Sequence, residues 1–242
     1  MRIYIVKNYE ELSKKSAQLV ASQIILKPDS VLGLATGSTP EGLYKELINI
    51  YNQGTISFND VNTFNLDEYY GIHRNNPQSY YYYMRKNLLD HINIGKDNIN
   101  IPHGLADDVE KHCNEYEDSI KQLGGIDLQI LGIGRNGHIG FNEPSDEFVP
   151  KTHMVDLQKE TIEDNARFFE KIEDVPTKAI SMGIKTIMDA KKILLVANGE
   201  AKAQAIYDTL KGPITPRVPA SILQLHNDLT VIVDEEAGRL LK

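Results

Sequence analysis

The sequence predicts an α/β fold: a single domain with a doubly wound, mostly parallel, Rossmann-like sheet and helices on both of its faces. Short apolar runs of strand length alternate with longer helix-like segments along the chain. Such alternation is typical of strands that are joined by crossover helices and therefore run parallel. A length of 242 residues suits one large α/β domain, and we expect residues 1–242 to form it.

The first half of the chain predicts three strands and four helices. The strand-like segments are residues 2–6, 31–35 and 61–66. The helix-like segments are residues 8–26, 39–51, 79–91 and 107–123. Asn8 and Glu11 have the spacing of a capping box, which starts a helix. Asp107 and Glu110 repeat this spacing at the fourth helix, which a glycine pair then ends.

The second half of the chain continues the same alternation. Its strand-like segments are residues 126–131, 191–197 and 229–233. Its helix-like segments are the polar residues 159–171 and residues 200–210. The segment 126–131 is predominantly apolar and reads as a buried strand, and we expect it at the centre of the sheet.

Composition and charge exclude several classes of protein. The formal net charge of −8 argues against nucleic acid as the main partner. The apolar runs are far below transmembrane length and the first residues do not resemble a signal peptide, so we expect no membrane partner. The single cysteine, Cys113, allows no intrachain disulfide, which fits a cytoplasmic location. The chain shows no zinc motif, and we expect no metal site.

The most informative segment is a glycine-rich loop at residues 131–144, LGIGRNGHIGFNEP, which begins where the strand 126–131 ends. Loops at the carboxyl ends of parallel strands form the ligand-binding crevice of open α/β sheets. Glycines allow the backbone to approach a ligand closely. Because His138 and Glu143 add titratable side chains, this loop is a candidate active site.

The same loop offers dinucleotide binding as an alternative. Gly132, Gly134 and Gly137 match the pattern G-x-G-x-x-G, and Asp156 lies at a tolerable distance for a ribose-binding acid. The mechanism of that motif requires a helix that begins within the glycine turn. The glycine and proline that follow make such a helix unfavourable, so the alternative is weakly supported.

A second loop, ATGSTP at residues 35–40, joins a buried strand to the start of a helix. Free backbone N–H groups, the positive end of the helix dipole and three hydroxyl groups meet there, which suits a phosphate. Thr36, Gly37 and Ser38 are the candidate phosphate ligands. The loop is not a Walker A motif, and an ordinary N-cap turn is the alternative interpretation.

A third loop, FNLDEYYG at residues 64–71, places Asp67 and Glu68 just past the end of the strand 61–66. Paired acids can serve as a general base and its neighbour. Taken alone, the segment favours a solvated turn or a cap for the next element. However, all three loops leave strands at the carboxyl edge of the sheet, so we expect them to line one crevice.

These three segments, LGLATGSTP, FNLDEYYG and LGIGRNGHIGFNEP, together resemble the glucosamine-6-phosphate deaminases. The similarity covers nearly the whole chain and includes NARFF around Arg167 and SILQLH up to His226. The related 6-phosphogluconolactonases share the glycine-rich beginning and the histidine. Their motif closes with a serine-leucine-phenylalanine-proline segment where residues 141–144 read FNEP, and it has arginine where this chain has Tyr69.

The resemblance implies conversion of glucosamine 6-phosphate and water into fructose 6-phosphate and ammonia, with no metal or organic cofactor. In the family, the residue matching His138 helps to open the sugar ring by shuttling a proton to O5, and the residue matching Glu143 orients it. The residue matching Asp67 moves the C2 proton to C1. The substrate-binding and phosphate-binding residues that we expect are Thr36, Gly37, Ser38, Glu68, Gly132, Arg167 and Lys202.

The chain departs from the family pattern at two places. Many members have aspartate at the position of Asn136, so the catalytic set expected here has one neutral member. The chain also ends soon after its last strand, so hexamer formation and activation by N-acetylglucosamine 6-phosphate are not carried over, although a homo-oligomer stays open. A lactonase-like hydrolase and a catalytically silent sugar-phosphate sensor are the alternatives to a deaminase.

Overall fold

The computed structural model describes residues 1–241, which form two sheets flanked by helices. The strands are β1 Arg2–Val6, β2 Val31–Leu34, β3 Asn62–Asn65, β4 Asp67–Tyr70, β5 Ile99–Asn100, β6 Leu128–Leu131, β7 His153–Asp156, β8 Lys178–Ser181, β9 Ile193–Ala197 and β10 Leu229–Asp234. The α-helices are α1 Tyr9–Leu26, α2 Ser38–Asn52, α3 Tyr80–Asn87, α4 Val109–Gln122, α5 Lys159–Asn165, α6 Ile184–Met188 and α7 Ala203–Lys211. Short 3₁₀ helices cover Leu89–His91, Lys96–Asn98, Ala166–Phe168, Ile172–Asp174, Glu200–Lys202, Pro219–Leu225 and Arg239–Leu241.

The larger sheet has seven strands in the order β1-β10-β9-β6-β2-β3-β5, and every pairing in it is parallel. From β2 the chain proceeds to β3 on one side, whereas from β6 it proceeds to β9 on the other side. The strand order therefore reverses between β2 and β6, and a crevice opens at such a switch point. This arrangement confirms the predicted α/β class and its mostly parallel, doubly wound sheet.

The core surrounds this sheet because its central strands are mostly apolar and are buried along their whole length. Every residue of β2, β6, β9 and β10 is buried. Helices α1 and α2 pack against each other, and both contact the sheet. None of the helices in residues 1–241 is both long and apolar enough to span a membrane.

Helix starts follow the predicted capping chemistry with small shifts. Asn8 Oδ1 accepts a hydrogen bond from the Glu11 N–H at 3.0 Å, as predicted. The prediction for α4 was wrong by one residue, because Asp108 rather than Asp107 accepts from the Lys111 N–H at 3.0 Å. Asp108 has the extended backbone that an N-cap residue needs.

A second sheet, in which β4, β8 and β7 pair in antiparallel order, was not predicted. Each strand has only four residues, and β4 and β7 contain polar side chains that hide their periodicity. Behind this sheet lies a small hydrophobic cluster formed by Tyr69, Phe141, Leu157 and Ala179. The sheet brings β4, which begins at Asp67, against the glycine-rich loop.

Two predicted helices are shorter than expected. The segment 79–91 is α-helical only over α3 and then continues as a 3₁₀ turn. The segment 159–171 is helical only as far as the turn after α5. Phe169 leaves the helix with an extended backbone, and its ring lies 5.9 Å from that of Tyr69. Aromatic packing on the second sheet therefore overrides the local helical tendency of this segment.

Candidate active site

A cavity of about 910 Å³ opens at the carboxyl ends of β2, β3, β6 and β9. Its wall residues from the loops after these strands lie within positions 35–41, 66–69, 132–141 and 198–202. Helices α3 and α5 supply the remaining walls. Because β2 and β6 flank the switch point of the sheet, this cavity occupies the place where α/β sheets bind ligands. The three loops expected to share one crevice therefore meet.

Eight of the eleven candidate residues line the cavity: Thr36, Gly37, Ser38, Asp67, Gly132, His138, Arg167 and Lys202. Asn136 and Glu143 lie behind His138, where they hydrogen-bond to each other. Glu68 is buried against α3 and does not line the cavity.

The N-terminus of α2 forms one end of the cavity. The residue before the helix is Gly37, which has no side chain that could cap the free N–H groups. Tyr83 donates its hydroxyl to the Gly37 carbonyl at 2.7 Å, so the loop is fastened to α3. Thr39 donates to Asn198 Oδ1 at 2.6 Å, which fastens it to the loop after β9. The free N–H groups and the positive helix end suit an anion.

Cationic side chains also line this cavity. Burial lowers the pKa of the Lys202 ammonium; Asp164 opposes this effect, whereas Arg135 and Arg167 add to it. All four of these side chains belong to residues that line the cavity. A bound phosphate would relieve the repulsion among the three cations, and arginine can bind it in bidentate fashion.

The glycine-rich loop presents His138 to the cavity. Gly134 lies so close to the imidazole that a Cβ there would be 2.3 Å from His138 Cε1, so only glycine fits. The Gly134 N–H donates to the His138 carbonyl at 2.9 Å, which closes the loop on itself. His138 Nδ1 lies 3.4 Å from Glu143 Oε2, a contact longer than an ordinary hydrogen bond.

Glu143 is held on the buried side of His138. Asn136 Nδ2 donates to Glu143 Oε2 at 2.9 Å, and the Thr161 hydroxyl donates to Glu143 Oε1. Burial disfavours the charged form of this carboxyl group, but the contacts from His138, Thr161 and Asn136 outweigh burial and lower its pKa. Glu143 is therefore ionised at neutral pH and can orient the imidazole.

Asp67 lies beside the glycine-rich loop in the cavity wall. Its side chain is almost fully buried, and a Cβ on Gly140 would lie 3.5 Å from Asp67 Oδ2. Burial, with a smaller contribution from the Glu68 charge, raises the pKa of Asp67 to about 8. A carboxyl group with a pKa near neutrality is suited to accept and return a proton.

The structure places Glu68, an expected substrate contact, outside the cavity lining. Its carboxylate accepts hydrogen bonds from the backbone N–H groups of Tyr69, Tyr80 and Tyr81. The free N–H groups at the start of α3 attract this acid away from the cavity. Burial raises the pKa of Glu68 to about 7, although these three hydrogen bonds oppose that effect. The alternative of an acid that caps the next element therefore describes Glu68.

The cavity residues that were not among the candidates include Arg135, Thr161 and Asp164. Arg135 forms an ion pair with Asp164 that joins the glycine-rich loop to α5. Thr161 and Asp164 are three residues apart and therefore share one face of that helix. This spacing was visible in the sequence, but nothing in the sequence indicated which element that face would meet.

The structure contradicts the dinucleotide-binding alternative. No helix begins within the glycine turn, and the next helix after β6 is α5. Gly137 and Gly140 have positive φ angles of 84° and 57°, so the loop continues to turn instead of becoming helical. Within residues 1–241, no group of three or more His, Cys, Asp or Glu side chains is arranged to hold a metal ion.

Known proteins resemble this chain along its whole length. The family model for glucosamine-6-phosphate isomerases and 6-phosphogluconolactonase matches residues 7–232. A glucosamine-6-phosphate deaminase from Clostridium botulinum (strain Langeland) is 63% identical over 242 residues, which cover 100% of this chain and 99% of the relative. Its counterpart from Clostridium novyi (strain NT) is 62% identical over 241 residues and 100% of both chains.

Solved structures agree with these sequence matches. A monomeric glucosamine-6-phosphate deaminase has a TM-score of 0.97 at 48% identity and covers 99% of this chain and 100% of its own. The 6-phosphogluconolactonase from Thermotoga maritima has a TM-score of 0.75 at 20% identity over 96% of this chain and 99% of its own, and so shares the fold. The chain belongs to the glucosamine-6-phosphate isomerase/6-phosphogluconolactonase family.

Proposed function

We propose that this enzyme converts glucosamine 6-phosphate and water into fructose 6-phosphate and ammonia. The observation that carries the proposal is the placement of Asp67 and His138 in one cavity whose end is the N-terminus of α2. The two side chains supply acid–base groups, and the helix end supplies an anion site. The relatives at 62–63% identity are glucosamine-6-phosphate deaminases, which supports the same substrate.

In the proposed reaction, the phosphate rests on Thr36, Gly37 and Ser38, with Arg167 and Lys202 as cationic contacts. His138 takes the proton of the O1 hydroxyl and delivers one to O5, which opens the ring and leaves an aldehyde at C1. Glu143 orients the imidazole during this transfer. Gly132 also lines the cavity, which supports its assignment as a substrate contact.

Asp67 then removes the C2 proton, and the C2–H electrons form the C1–C2 double bond. The electrons of the C1 carbonyl move to O1, which takes up a proton from solvent, so that an enolamine forms. Return of the proton to C1 converts the enolamine to an imine at C2. Water adds to C2, and the C2–N bond then breaks. The nitrogen leaves as ammonia, and fructose 6-phosphate is the other product. The raised pKa of Asp67 suits this step, because the protonated carboxyl group must be stable enough to carry the proton from C2 to C1.

The proposal is tested by following ammonia release from glucosamine 6-phosphate, with 6-phosphogluconolactone as the counter-substrate. We expect deaminase turnover and no hydrolysis of the lactone above the spontaneous rate. The opposite pattern would assign the chain to the lactonase side of the family. Absence of both activities, with retained binding of a sugar phosphate, would indicate the sensor alternative.

We further propose that residues 1–242 act as one domain in the cytoplasm, with a small sugar phosphate as the partner. The relative at 48% identity is a monomer, which favours a monomer here over a homo-oligomer. Light scattering on the purified enzyme measures the mass directly, and the monomer has a mass of 27.2 kDa.

A further inference from the structure

Helix α5 makes two polar contacts with the glycine-rich loop through one face. Thr161 is 3% exposed and donates its hydroxyl to Glu143 Oε1. One turn later, Asp164 accepts from Arg135 Nε at 2.9 Å and completes the ion pair through a second guanidinium nitrogen. Both contacts join α5 to the loop that carries His138. Neither contact has a role in the phosphate binding or the proton transfers proposed above.

The contact from Thr161 divides the two oxygens of Glu143 between different partners. Oε1 accepts from Thr161, whereas Oε2 accepts from Asn136 and faces His138. A carboxylate held at both oxygens cannot rotate about its last side-chain bond. Without the Thr161 hydroxyl, Oε1 would be a buried acceptor with no donor and Oε2 would lose its fixed direction toward His138.

We propose that Thr161 is a positioning residue for the His138–Glu143 pair, and that the Arg135–Asp164 ion pair is the second contact by which α5 is held on the glycine-rich loop. Thr161 acts through Glu143 and touches no reacting atom. The role in turnover rests on the proposed deaminase function, whereas the effect on His138 does not. The ion pair is partly exposed, with side chains 47% and 35% accessible, so its loss has the smaller effect.

The first test compares Thr161→Val with Thr161→Ser in the ammonia-release assay. Valine keeps the volume of threonine and removes the donor, so we expect kcat to fall roughly 10- to 100-fold while KM stays within about twofold. Serine retains the hydroxyl and should restore most of kcat. Glu163→Ala, on the exposed face of the same helix, is the control and should leave both constants unchanged. Equal activity of the valine variant and the parent would overturn the proposal.

A double-mutant cycle separates positioning from general destabilisation. If Thr161 acts through Glu143, Thr161→Val should cause no further loss of kcat in a Glu143→Ala background. Fully additive losses would show that Thr161 acts elsewhere. Melting temperatures of all variants, measured in parallel, identify any loss that comes from unfolding. Asp164→Ala and Arg135→Ala should each lower kcat less than Thr161→Val does. Because the two residues form one ion pair, the double variant should lose no more activity than either single variant.

A third measurement does not depend on turnover. The ring protons of His138 are titrated by NMR in the parent, in Thr161→Val and in Thr161→Ser. Without the Thr161 donor, Oε2 is no longer held toward His138 and stabilises the imidazolium less, so the titration midpoint should fall in the valine variant alone. An unchanged midpoint would overturn the positioning role. If the parent released no ammonia but the His138 midpoint still differed between Thr161→Val and the parent, the proposed function would be refuted and this inference would stand.

Discussion

The Asp67 carboxyl group is buried, yet the proposed reaction needs its ionised form. Burial and the neighbouring Glu68 raise its pKa to about 8, so the free enzyme carries a mixture of both forms near neutral pH. The hydrogen bonds that Glu68 accepts from backbone N–H groups keep that second acid away from the cavity. Of this acid pair, only Asp67 is in a position to exchange protons with a ligand.

Asp67→Asn should lower turnover by ~10²–10⁴-fold, because an amide cannot accept the C2 proton. Binding of the sugar phosphate should change little, since Asp67 is not one of the proposed phosphate contacts. The measurements are ammonia release and incorporation of solvent deuterium at C1 of the product. Asp60→Asn, an exposed substitution of the same chemistry, is the control. Near-normal turnover and isotope incorporation would contradict the assignment.

Asp67 should also make stability depend on pH. Its folded-state pKa of about 8 lies above the ordinary value of 3.8, so the folded protein holds this proton more tightly than the unfolded chain. The resulting contribution is complete below about pH 4 and is lost as pH rises through about 8. Melting temperatures of Asp67→Asn, which cannot ionise, should therefore rise relative to the parent between pH 5 and 9. A constant difference across that range would argue against the raised pKa.

Asn136→Asp should remain active but lose activity on the acid side of its pH profile. Asn136 donates to the same Glu143 oxygen that faces His138, so an aspartate there places a second carboxylate beside the pair. The added negative charge favours the protonated imidazole, which cannot begin ring opening as a base. The acid limb of kcat/KM should move to higher pH than in the parent. An inactive variant would instead show that the side-chain amide itself is required.

At the scale of elements, the proposed anion site is supplied by the start of α2 and the proposed proton-transfer groups come from other elements. The free N–H groups of α2 and the cations Arg167 and Lys202 line the same cavity as His138 and Asp67 but belong to different elements. The loop is held by Tyr83 from α3 and by Asn198 from the loop after β9. Because three separate elements support it, this anion site is preformed.

Free glucosamine should consequently be a very poor substrate. Each charge-assisted hydrogen bond to the phosphate contributes about 1.5–3 kcal/mol, so loss of several should lower kcat/KM by roughly 10³-fold or more. Steady-state kinetics with both sugars measures this ratio. Glucose 6-phosphate should inhibit competitively, and glucose at the same concentration should not. Comparable efficiency with and without the phosphate would show that Thr36, Gly37 and Ser38 do not form an anion site.

At the scale of the whole molecule, the cavity exists because the strand order reverses between β2 and β6. Loops after both strands then turn away from each other and leave a crevice between them. The small antiparallel sheet closes one side of this crevice and presents Asp67 at the start of β4. Residues far apart in sequence, such as Ser38, Asp67 and Lys202, thus line one site.

Ligand binding should stabilise the whole fold, because these loops and helices must all be in place to form the site. Fructose 6-phosphate at a hundredfold excess over its Kd should add about 2.7 kcal/mol to the free energy of unfolding. For a domain of this size, the melting temperature should then rise by roughly 5–10 °C. Free fructose at the same concentration should give no shift. Lys202→Met should reduce the shift, and an equal shift with both sugars would contradict the phosphate site.

The sequence by itself determined the central sheet and the meeting of the three loops. Short apolar runs such as 193–197 favour buried strands, and parallel strands place all their following loops at one edge. The glycine-rich loop identified His138 and Glu143 because the composition of the loop excludes a helix. These features follow from local composition and from chain connectivity, which a single sequence contains.

Only the tertiary structure decided where the remaining polar side chains point. Glu68 caps α3, the segment after α5 leaves its helix at Phe169, and Thr161 reaches Glu143. Each outcome depends on which distant element supplies free N–H groups, an aromatic surface or a buried carboxylate. The short strands of the second sheet were missed for the same reason, since their pairing partners lie far away in the sequence. Local propensity does not encode such long-range partners, and packing selects them.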